Sequence, residues 1–245
     1  MATEMKIGGY LQTSLIDWPG KIAAVVFTVS CNFRCPFCHN ADLVLPEKIK
    51  RIYIIPEKEI LADLKKRKKW IDGVVVTGGE STLQDDLSGF LDKCRRMGFM
   101  TMIETNGSQP EVIHNLLTKK LLNYVAMDYK GPIEEYAAVS GGKIKNEKLK
   151  IENSMKLLVN SHIPFEFRTT VVPGIHDETT IKKMGRELRQ LTINDSRLTI
   201  PWYLQAFQPK NCLDPEFMKV KPFTAAMLKK LLAAAKKEFP LAELR

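Results

Sequence analysis

Three cysteines, Cys31, Cys35 and Cys38, lie within eight residues of this 245-residue sequence. Soft thiolates this close together indicate a metal site, and the odd total of five cysteines argues against a disulfide framework. Zinc ordinarily takes a fourth ligand, for which His39 is available. A [4Fe–4S] cluster fits three thiolates better, because one iron is then open to a small molecule.

The rest of the sequence predicts the elements that must hold this loop. Short β-rich runs alternate with amphipathic segments, which predicts βα units and a parallel sheet. The predicted strands are Ile22–Thr28, Val74–Thr77, Met100–Glu104, Tyr124–Asp128, Phe165–Val172 and Trp202–Phe207. The predicted helices are Glu57–Trp70, Leu83–Met97, Pro110–Leu122, Glu147–Asn160, Asp177–Leu191 and Phe223–Phe239. Six such units form either an open doubly wound sheet or an incomplete barrel, and periodicity does not separate the two.

In both architectures ligands bind at the carboxyl ends of the strands. Polar, charged and metal-binding residues collect at those positions. They are the cysteine loop, Gly78-Gly79-Glu80, Glu104-Thr105-Asn106-Gly107, Asp128-Tyr129-Lys130, Arg168 and Gln205. The sequence therefore predicts one ligand site along this edge of the sheet.

Composition and charge place limits on the class of protein. A hydrophobic fraction of 44% and a charged fraction of 27% are ordinary for a globular protein, and no linker or repeat divides the chain, so residues 1–245 are predicted to form one domain. No apolar run approaches the roughly 20 residues of a membrane span, and no export signal opens the sequence, so we expect a cytoplasmic protein. The net charge of +9 is concentrated on predicted helices such as the one carrying Lys65–Lys69. It indicates a solvated surface more than a nucleic-acid footprint.

The cysteine loop resembles that of the radical S-adenosylmethionine (SAM) superfamily, including the aromatic residue at Phe37. The resemblance implies a partial (β/α)6 TIM-type barrel and a [4Fe–4S] cluster on Cys31, Cys35 and Cys38. It implies that the amino and carboxylate groups of SAM chelate the fourth iron. A low-potential electron donor would then allow cleavage of SAM to methionine and a 5′-deoxyadenosyl radical. Because that radical carries the chemistry, no protein side chain is expected to be a catalytic acid or base.

The other strand ends resemble the superfamily in the same order. Gly78-Gly79-Glu80 resembles its glycine–glycine–glutamate stretch, where backbone groups accept the SAM amino group, with Ser81 in place of the usual proline. Arg168 resembles an arginine that contacts the SAM carboxylate in glycyl-radical activating enzymes. The resemblance assigns ribose and methionine contacts to Asn106, Asp128 and Lys130, and it makes Glu104 with Asp128 a candidate pair for a monovalent cation.

The stretch Gly8–Lys21, followed by the first strand and by Cys-Pro-Phe-Cys-His-Asn, resembles anaerobic ribonucleoside-triphosphate reductase activating proteins. Such proteins abstract a hydrogen atom from a glycine of the partner reductase, which leaves a glycyl radical, and anaerobic conditions are implied. Cys94 is predicted in the core and Cys212 in a loop, so the remaining thiols do not suggest a second cluster. His114, His162 and His176 are assigned no role.

Two alternatives to this activating reaction stay open. One is another radical SAM reaction, on RNA or a peptide. The other is a non-enzymatic iron–sulfur or zinc protein. Metal content and SAM cleavage would distinguish the second alternative from an enzyme.

Overall fold

The computed structural model describes residues 4–142, 144–192 and 200–245. Strands and helices follow one another along these residues. The strands are β1 Ile7–Ser14, β2 Ala23–Thr28, β3 Gly73–Gly78, β4 Met100–Thr105, β5 Tyr124–Asp128, β6 Phe165–Val171, β7 Trp202–Ala206 and β8 Ala242–Leu244. The helices are α1 Ala41–Val44, α2 Pro46–Ile49, α3 Glu57–Arg67, α4 Leu87–Arg96, α5 Pro110–Thr118, α6 Tyr136–Ser140, α7 Glu147–Val159, α8 Glu178–Thr192 and α9 Ala225–Glu238. Short 3₁₀ turns occur at Ser81–Leu83, Ile133–Glu135 and Pro215–Lys219.

Contacts divide the chain into two compact units. The first comprises Met1–Asn32, Asp42–Thr105 and Glu111–Ala126, and the second comprises Phe33–Ala41, Asn106–Pro110 and Met127–Arg245. Both units are discontinuous in sequence, and β5 contributes residues to each. That residues 1–245 form one domain stays a prediction.

In the first unit the strand order is β1-β2-β3-β4-β5. β2, β3 and β4 are parallel, whereas β1 pairs with β2 in the antiparallel sense. β2 and β3 are rich in valine, and valines on both faces of these strands are fully buried, as expected for strands covered on both sides. A core cluster forms around them from Trp18, Ala23, Val25, Val75, Met102 and Ala126.

In the second unit the strand order is β5-β6-β7-β8, and β6, β7 and β8 are parallel. Trp202 on β7 is fully buried, and its indole N–H donates to Thr169 Oγ1 at 2.9 Å. α8 buries Ile181, Met184 and Leu188, which follow the three- and four-residue spacing of an amphipathic helix. β1 is an edge strand of the first unit and β8 of the second, so the described strands of neither unit close into a barrel.

All six predicted strands are present, and each end lies within one residue of its predicted position. β1 and β8 were not predicted, because β1 contains Gly8 and Gly9 and lacks an apolar run, and β8 has only three residues. The six predicted helices are confirmed, five of them with shorter bounds and α8 displaced by one residue. α4 ends just before Gly98, whose φ of +88° stops the helix, and Asp177 accepts a hydrogen bond from Thr180 N at 2.7 Å as the N-cap of α8.

None of the helices in the described part of the chain has both the length and the apolar character needed to cross a bilayer.

Candidate active site

The cysteine loop follows β2. Cys31 belongs to the first unit, and Cys35 and Cys38 belong to the second. Cys35 is buried, the other two are partly exposed, and all three are thiols outside any disulfide. Cys38 N donates to Cys35 O at 3.1 Å, which closes the turn between these two cysteines.

The turn after α6 supports the second half of the loop. Ser140 O accepts a hydrogen bond from Arg34 N at 2.7 Å and lies 3.8 Å from Cys35 Sγ. The next residue, Gly141, has a φ of +90°, and a Cβ atom there would lie 2.8 Å from Arg34 O. Only glycine allows the two backbones to approach this closely.

A segment after β7, Asn211–Asp214, holds the loop from another element. Its backbone donates twice, from Leu213 N to Cys38 O at 3.0 Å and from Asp214 N to Pro36 O at 2.9 Å. The side chain of Asn211 adds a third hydrogen bond, in which Nδ2 donates to His39 O at 3.1 Å. These bonds join residues far apart in sequence through backbone atoms, so neither composition nor spacing could have predicted them.

Phe37, the aromatic residue of the cysteine loop, packs against the 3₁₀ turn Pro215–Lys219 of the second unit. Phe37 is buried, and its ring centroid lies 6.4 Å from that of Phe217. His39 is packed against Phe207, with ring centroids 5.7 Å apart, and burial lowers the pKa of its imidazole. The ring contacts of Phe37 and His39 therefore help to hold the cysteine loop in its conformation.

A partly buried cation lies beside the two cysteines of the second unit. Lys130 Nζ contacts Asp128 Oδ2 at 2.7 Å. The pKa of Lys130 lies well above its ordinary value: burial lowers it, but the Asp128 carboxylate and Cys35 raise it by more. Burial also raises the pKa of the Cys38 thiol, and the Lys130 charge opposes that shift. A lysine cation next to cysteines favours their thiolate form, which is the form that binds metal.

Two side chains fix the backbone that carries Asp128 and Lys130. Tyr136 OH donates to Asp128 O at 3.1 Å and accepts from Lys130 N at 3.2 Å. His176 Nε2 lies 3.0 Å from Lys130 O. The sequence assigned no role to His176, because it lacks metal-ligand spacing to any other histidine. Its positioning role is visible only in the fold.

The glycine pair of the first unit has a packing reason. Gly78 has a φ of +121°, and a Cβ atom there would lie 2.3 Å from the backbone N and O of Thr28. At Gly79 a Cβ atom would lie 2.0 Å from Ser30 O. The pair therefore lets the end of β3 approach the segment that leads into Cys31, and Glu80 N donates to Ser30 O at 2.8 Å across that contact.

Glu80 and Ser81 join the ends of β3 and β4. The buried Glu80 carboxylate accepts hydrogen bonds from Thr82 N at 3.0 Å and from Thr105 Oγ1 at 2.6 Å. Ser81 Oγ donates to Glu104 O at 2.8 Å. Proline suits the first position of a helical turn, whereas serine at that position makes this additional cross-strand hydrogen bond.

The remaining predicted residues lie in or beside the strands. Asn106 is buried, and its Oδ1 accepts from Ser108 N at 2.9 Å. Glu104 Oε2 accepts from Thr77 Oγ1 at 2.7 Å. Arg168 lies within β6 and is buried, and its Nε donates a hydrogen bond to Glu166.

Each unit thus brings several predicted residues together. The first groups Gly78, Gly79, Glu80 and Glu104, and the second groups Cys35, Cys38, Asp128 and Lys130. Among the described residues, no three His, Cys, Asp or Glu side chains are arranged around one point as ligands of a single metal ion. A four-iron cluster binds its thiolates at separate irons, so the three-thiol loop is compatible with it in number and chemistry.

A comparison with protein families decides which kind of enzyme this is. A family model described as the radical SAM superfamily matches residues 25–184. The chain belongs to this superfamily. The resemblance to the superfamily is thereby confirmed, and the family uses a [4Fe–4S] cluster and SAM.

Similar proteins place this radical SAM enzyme among homologues of glycyl-radical enzyme activating enzymes. A Methanocaldococcus jannaschii protein named as a candidate glycyl-radical enzyme activating enzyme is 35% identical over 237 residues, which cover 94% of this chain and 92% of the relative. The pyruvate formate-lyase-activating enzyme of Clostridium pasteurianum is 27% identical over 196 residues, with coverage of 77% and 78%.

Solved structures support the fold class. Escherichia coli QueE superimposes with a TM-score of 0.53 and 15% identity, covering 98% of this chain and 93% of QueE. Archaeal TYW1 gives a TM-score of 0.56 and 18% identity, with coverage of 89% and 72%. The predicted fold class, the α/β fold of the radical SAM superfamily, is confirmed.

Proposed function

We propose that this radical SAM enzyme makes a glycyl radical on an anaerobic ribonucleoside-triphosphate reductase by removing a hydrogen atom from one of its glycines. The observation that carries the choice of partner is the Gly8–Lys21 stretch, which resembles the activating proteins of that reductase. This stretch forms β1 and the turn into β2. The nearly full-length similarity to a candidate activating enzyme supports the reaction class.

Cys31, Cys35 and Cys38 would hold the [4Fe–4S] cluster. When bound, the cluster supplies the electron that cleaves SAM and so yields the radical that removes the glycine hydrogen. Within the chain, the Ser140 carbonyl and the Asn211–Asp214 segment keep the loop in shape, and the Lys130 cation favours thiolates at Cys35 and Cys38.

The remaining proposed roles concern SAM. A guanidinium matches a carboxylate in geometry and charge, which supports Arg168 as the partner of the SAM carboxylate. Asp128 and Lys130 form an ion pair suited to the zwitterionic methionine part. The full proposed SAM-binding set is Phe37, Gly78, Gly79, Glu80, Asn106, Asp128, Lys130 and Arg168. A monovalent cation at Glu104 and Asp128, and a cytoplasmic location, stay predictions.

The test is an anaerobic assay with two alternative partners. Cluster-loaded protein receives SAM, dithionite as electron donor, and either an anaerobic ribonucleoside-triphosphate reductase or a pyruvate formate-lyase. We expect 5′-deoxyadenosine when both reductant and SAM are present. Of the two partners, only the reductase should then show a glycyl radical in its electron paramagnetic resonance spectrum. A reductase whose radical-bearing glycine is replaced by alanine is the control, and it should give no such signal.

Each other outcome identifies a different error. A radical on the lyase alone would overturn the choice of partner and keep the reaction class. Formation of 5′-deoxyadenosine without a radical on either protein would favour RNA or a peptide as substrate. No cleavage of SAM despite a verified four-iron cluster would overturn the proposed function.

A further inference from the structure

An exposed segment between α2 and α3 lies near the end of the sheet from which the cysteine loop begins. Ile55 forms an isolated antiparallel bridge with Ile7 on β1, and Ile7 is aligned with Thr28, the last residue of β2. Two strand spacings therefore separate Ile55 from Thr28, which is about 10 Å. The residues just before Ile55 lie on the outer flank of β1, close to the point where Cys31 follows β2.

Gly8 allows this segment to pack beside the start of the cysteine loop. A Cβ atom at Gly8 would lie 2.8 Å from Leu43 Cδ2 and 3.6 Å from Ile52 Cγ2. Leu43 O in turn accepts a hydrogen bond from Ser30 N at 2.7 Å, and Ser30 directly precedes Cys31. Gly8 is also the first residue of the stretch that resembles the reductase activating proteins. The motif that suggests the partner therefore also supports the exposed segment.

The outer side of the segment carries groups that are typical of protein–protein interfaces. Tyr53 is 69% exposed, and its hydroxyl makes no hydrogen bond to any described residue. Lys50 and Arg51 are exposed, and neither side chain forms an ion pair within the described part of the chain. Ile54, which is 38% exposed, adds apolar area. Tyrosine and arginine are among the residue types that most often dominate the binding energy of such interfaces.

The charges of the segment favour an acidic protein as its partner. Residues 41–55 contain three basic and two acidic side chains, and one of the acids, Asp42, is paired with Lys48 at 2.8 Å. The two remaining cations outnumber the one remaining acid, Glu47. Carboxylates on a partner would complement these cations and speed up the encounter. The acids within the segment disfavour a nucleic acid, because they would repel its phosphates.

We propose that Lys50–Ile54 is a docking surface for the reductase, which places a patch of carboxylates and apolar side chains on it while its glycine is at SAM. The inference rests on the proposed function, because a protein substrate has to cover the strand ends at which SAM is bound. Tyr53 and Arg51 form the centre of this surface, and Ile54 extends its apolar part.

The test measures docking apart from catalysis. Cluster-loaded protein is titrated with a reductase whose radical-bearing glycine is replaced by alanine, so that no radical forms. We expect Tyr53→Ala and Arg51→Glu each to raise the dissociation constant about tenfold, the scale of an interface hot spot. Added salt should weaken the binding of wild type, and it should weaken that of Arg51→Glu less, since an attractive charge has been lost.

Two variants at the opposite end of the same strands are matched controls. Trp70→Ala removes an aromatic ring that is 74% exposed and lies three residues before β3 begins. Lys66→Glu reverses an exposed charge in the last turn of α3. Both should bind the reductase within about twofold of wild type. All four variants should keep the iron content and the SAM affinity of wild type, because none of them changes a proposed ligand of the cluster or of SAM.

A rate measurement with the reactive reductase provides a second readout. Tyr53→Ala should need about tenfold more reductase for half-maximal formation of the glycyl radical, while its rate at saturation should match that of wild type. A lower rate at saturation with an unchanged half-maximal concentration would overturn the inference, because the side chain would then act on the reaction and not on docking.

The binding outcomes are distinct. Unchanged affinity in both surface variants would overturn the inference, and so would equal weakening by Trp70→Ala. Tighter binding of single-stranded RNA than of the reductase, weakened by the same two surface variants, would assign the surface to nucleic acid and overturn it as well. No binding between wild type and the reductase would overturn the choice of partner in the proposed function, and the inference with it.

Discussion

His176 is hydrogen-bonded to Lys130 across the ends of two neighbouring strands. Its Nδ1 accepts from Val172 N at 3.0 Å, so the imidazole proton is assigned to Nε2, which donates to Lys130 O at 3.0 Å. Burial lowers the pKa of His176 to about 4, while nearby backbone groups and Asp177 oppose the shift. The neutral ring thereby holds the backbone next to the ion pair of Lys130 with Asp128.

The first prediction is that this histidine makes stability depend on pH. An unfolded histidine has a pKa of about 6.5, so between about pH 6.5 and pH 4 the unfolded chain binds a proton that the folded chain does not. The contribution of His176 is therefore complete above about pH 6.5 and is lost as the pH falls toward 4. From pH 7 to pH 5 we expect it to lower the free energy of unfolding by about 2 kcal/mol.

Urea unfolding at both pH values, for wild type and His176→Gln, measures this effect. The glutamine variant has no titrating group at the site, so its free energy of unfolding should fall by about 2 kcal/mol less than that of wild type over the same interval. An equal fall in both proteins would contradict the prediction.

The second prediction concerns the cluster ligands. Cys35→Ser should lose most of its bound iron after anaerobic reconstitution and should produce no 5′-deoxyadenosine, because serine is a poor ligand for iron–sulfur clusters. Cys94→Ser is the matched control, since Cys94 is also buried but lies on α4, outside the loop and the segments that support it. It should keep the iron content and activity of wild type. Equal loss of iron in both variants would contradict our assignment.

The third prediction is that Gly78 is required for packing and not only for its backbone conformation. Gly78→Ala would place a Cβ atom 2.3 Å from the Thr28 backbone at a φ of +121°, and we expect a loss of stability above about 3 kcal/mol. Gly20→Ala has a φ of +69° with no atom within 4 Å of the added carbon. It should cost only the backbone strain of about 1 kcal/mol. Urea unfolding of both variants checks the difference, and equal losses would disprove the steric explanation.

The fourth prediction is that the Ser81 hydroxyl stabilises the turn after β3. Ser81 is fully buried, and its removal in Ser81→Ala leaves Glu104 O without this donor, so we expect a loss of about 1 to 2 kcal/mol. Ser161→Ala removes a similar hydroxyl, bonded to Leu158 O at 2.7 Å, from a partly exposed helix end. That loss should stay below about 0.5 kcal/mol. Indistinguishable unfolding midpoints for the two variants would contradict the prediction.

The strands show where sequence patterns are reliable. β2 and β3 are covered on both faces, and burial on both faces favours a nearly unbroken apolar run that marks their bounds. β1 escaped prediction for the opposite reason: its residues from Tyr10 to Thr13 are partly or fully exposed, so no apolar run or alternation marks it. Its place beside β2 follows from pairing, which depends on a partner elsewhere in the chain.

The sequence by itself determined that three thiols lie close together at the cysteine loop, because the spacing of Cys31, Cys35 and Cys38 is a covalent property of a short segment. It also determined which residues follow each strand. Only the tertiary structure decided what supports them: the Asn211–Asp214 segment under the loop and His176 beside Lys130. The physical reason is that these are contacts between residues far apart in sequence, often through backbone atoms, and such contacts leave no periodicity or spacing in the chain.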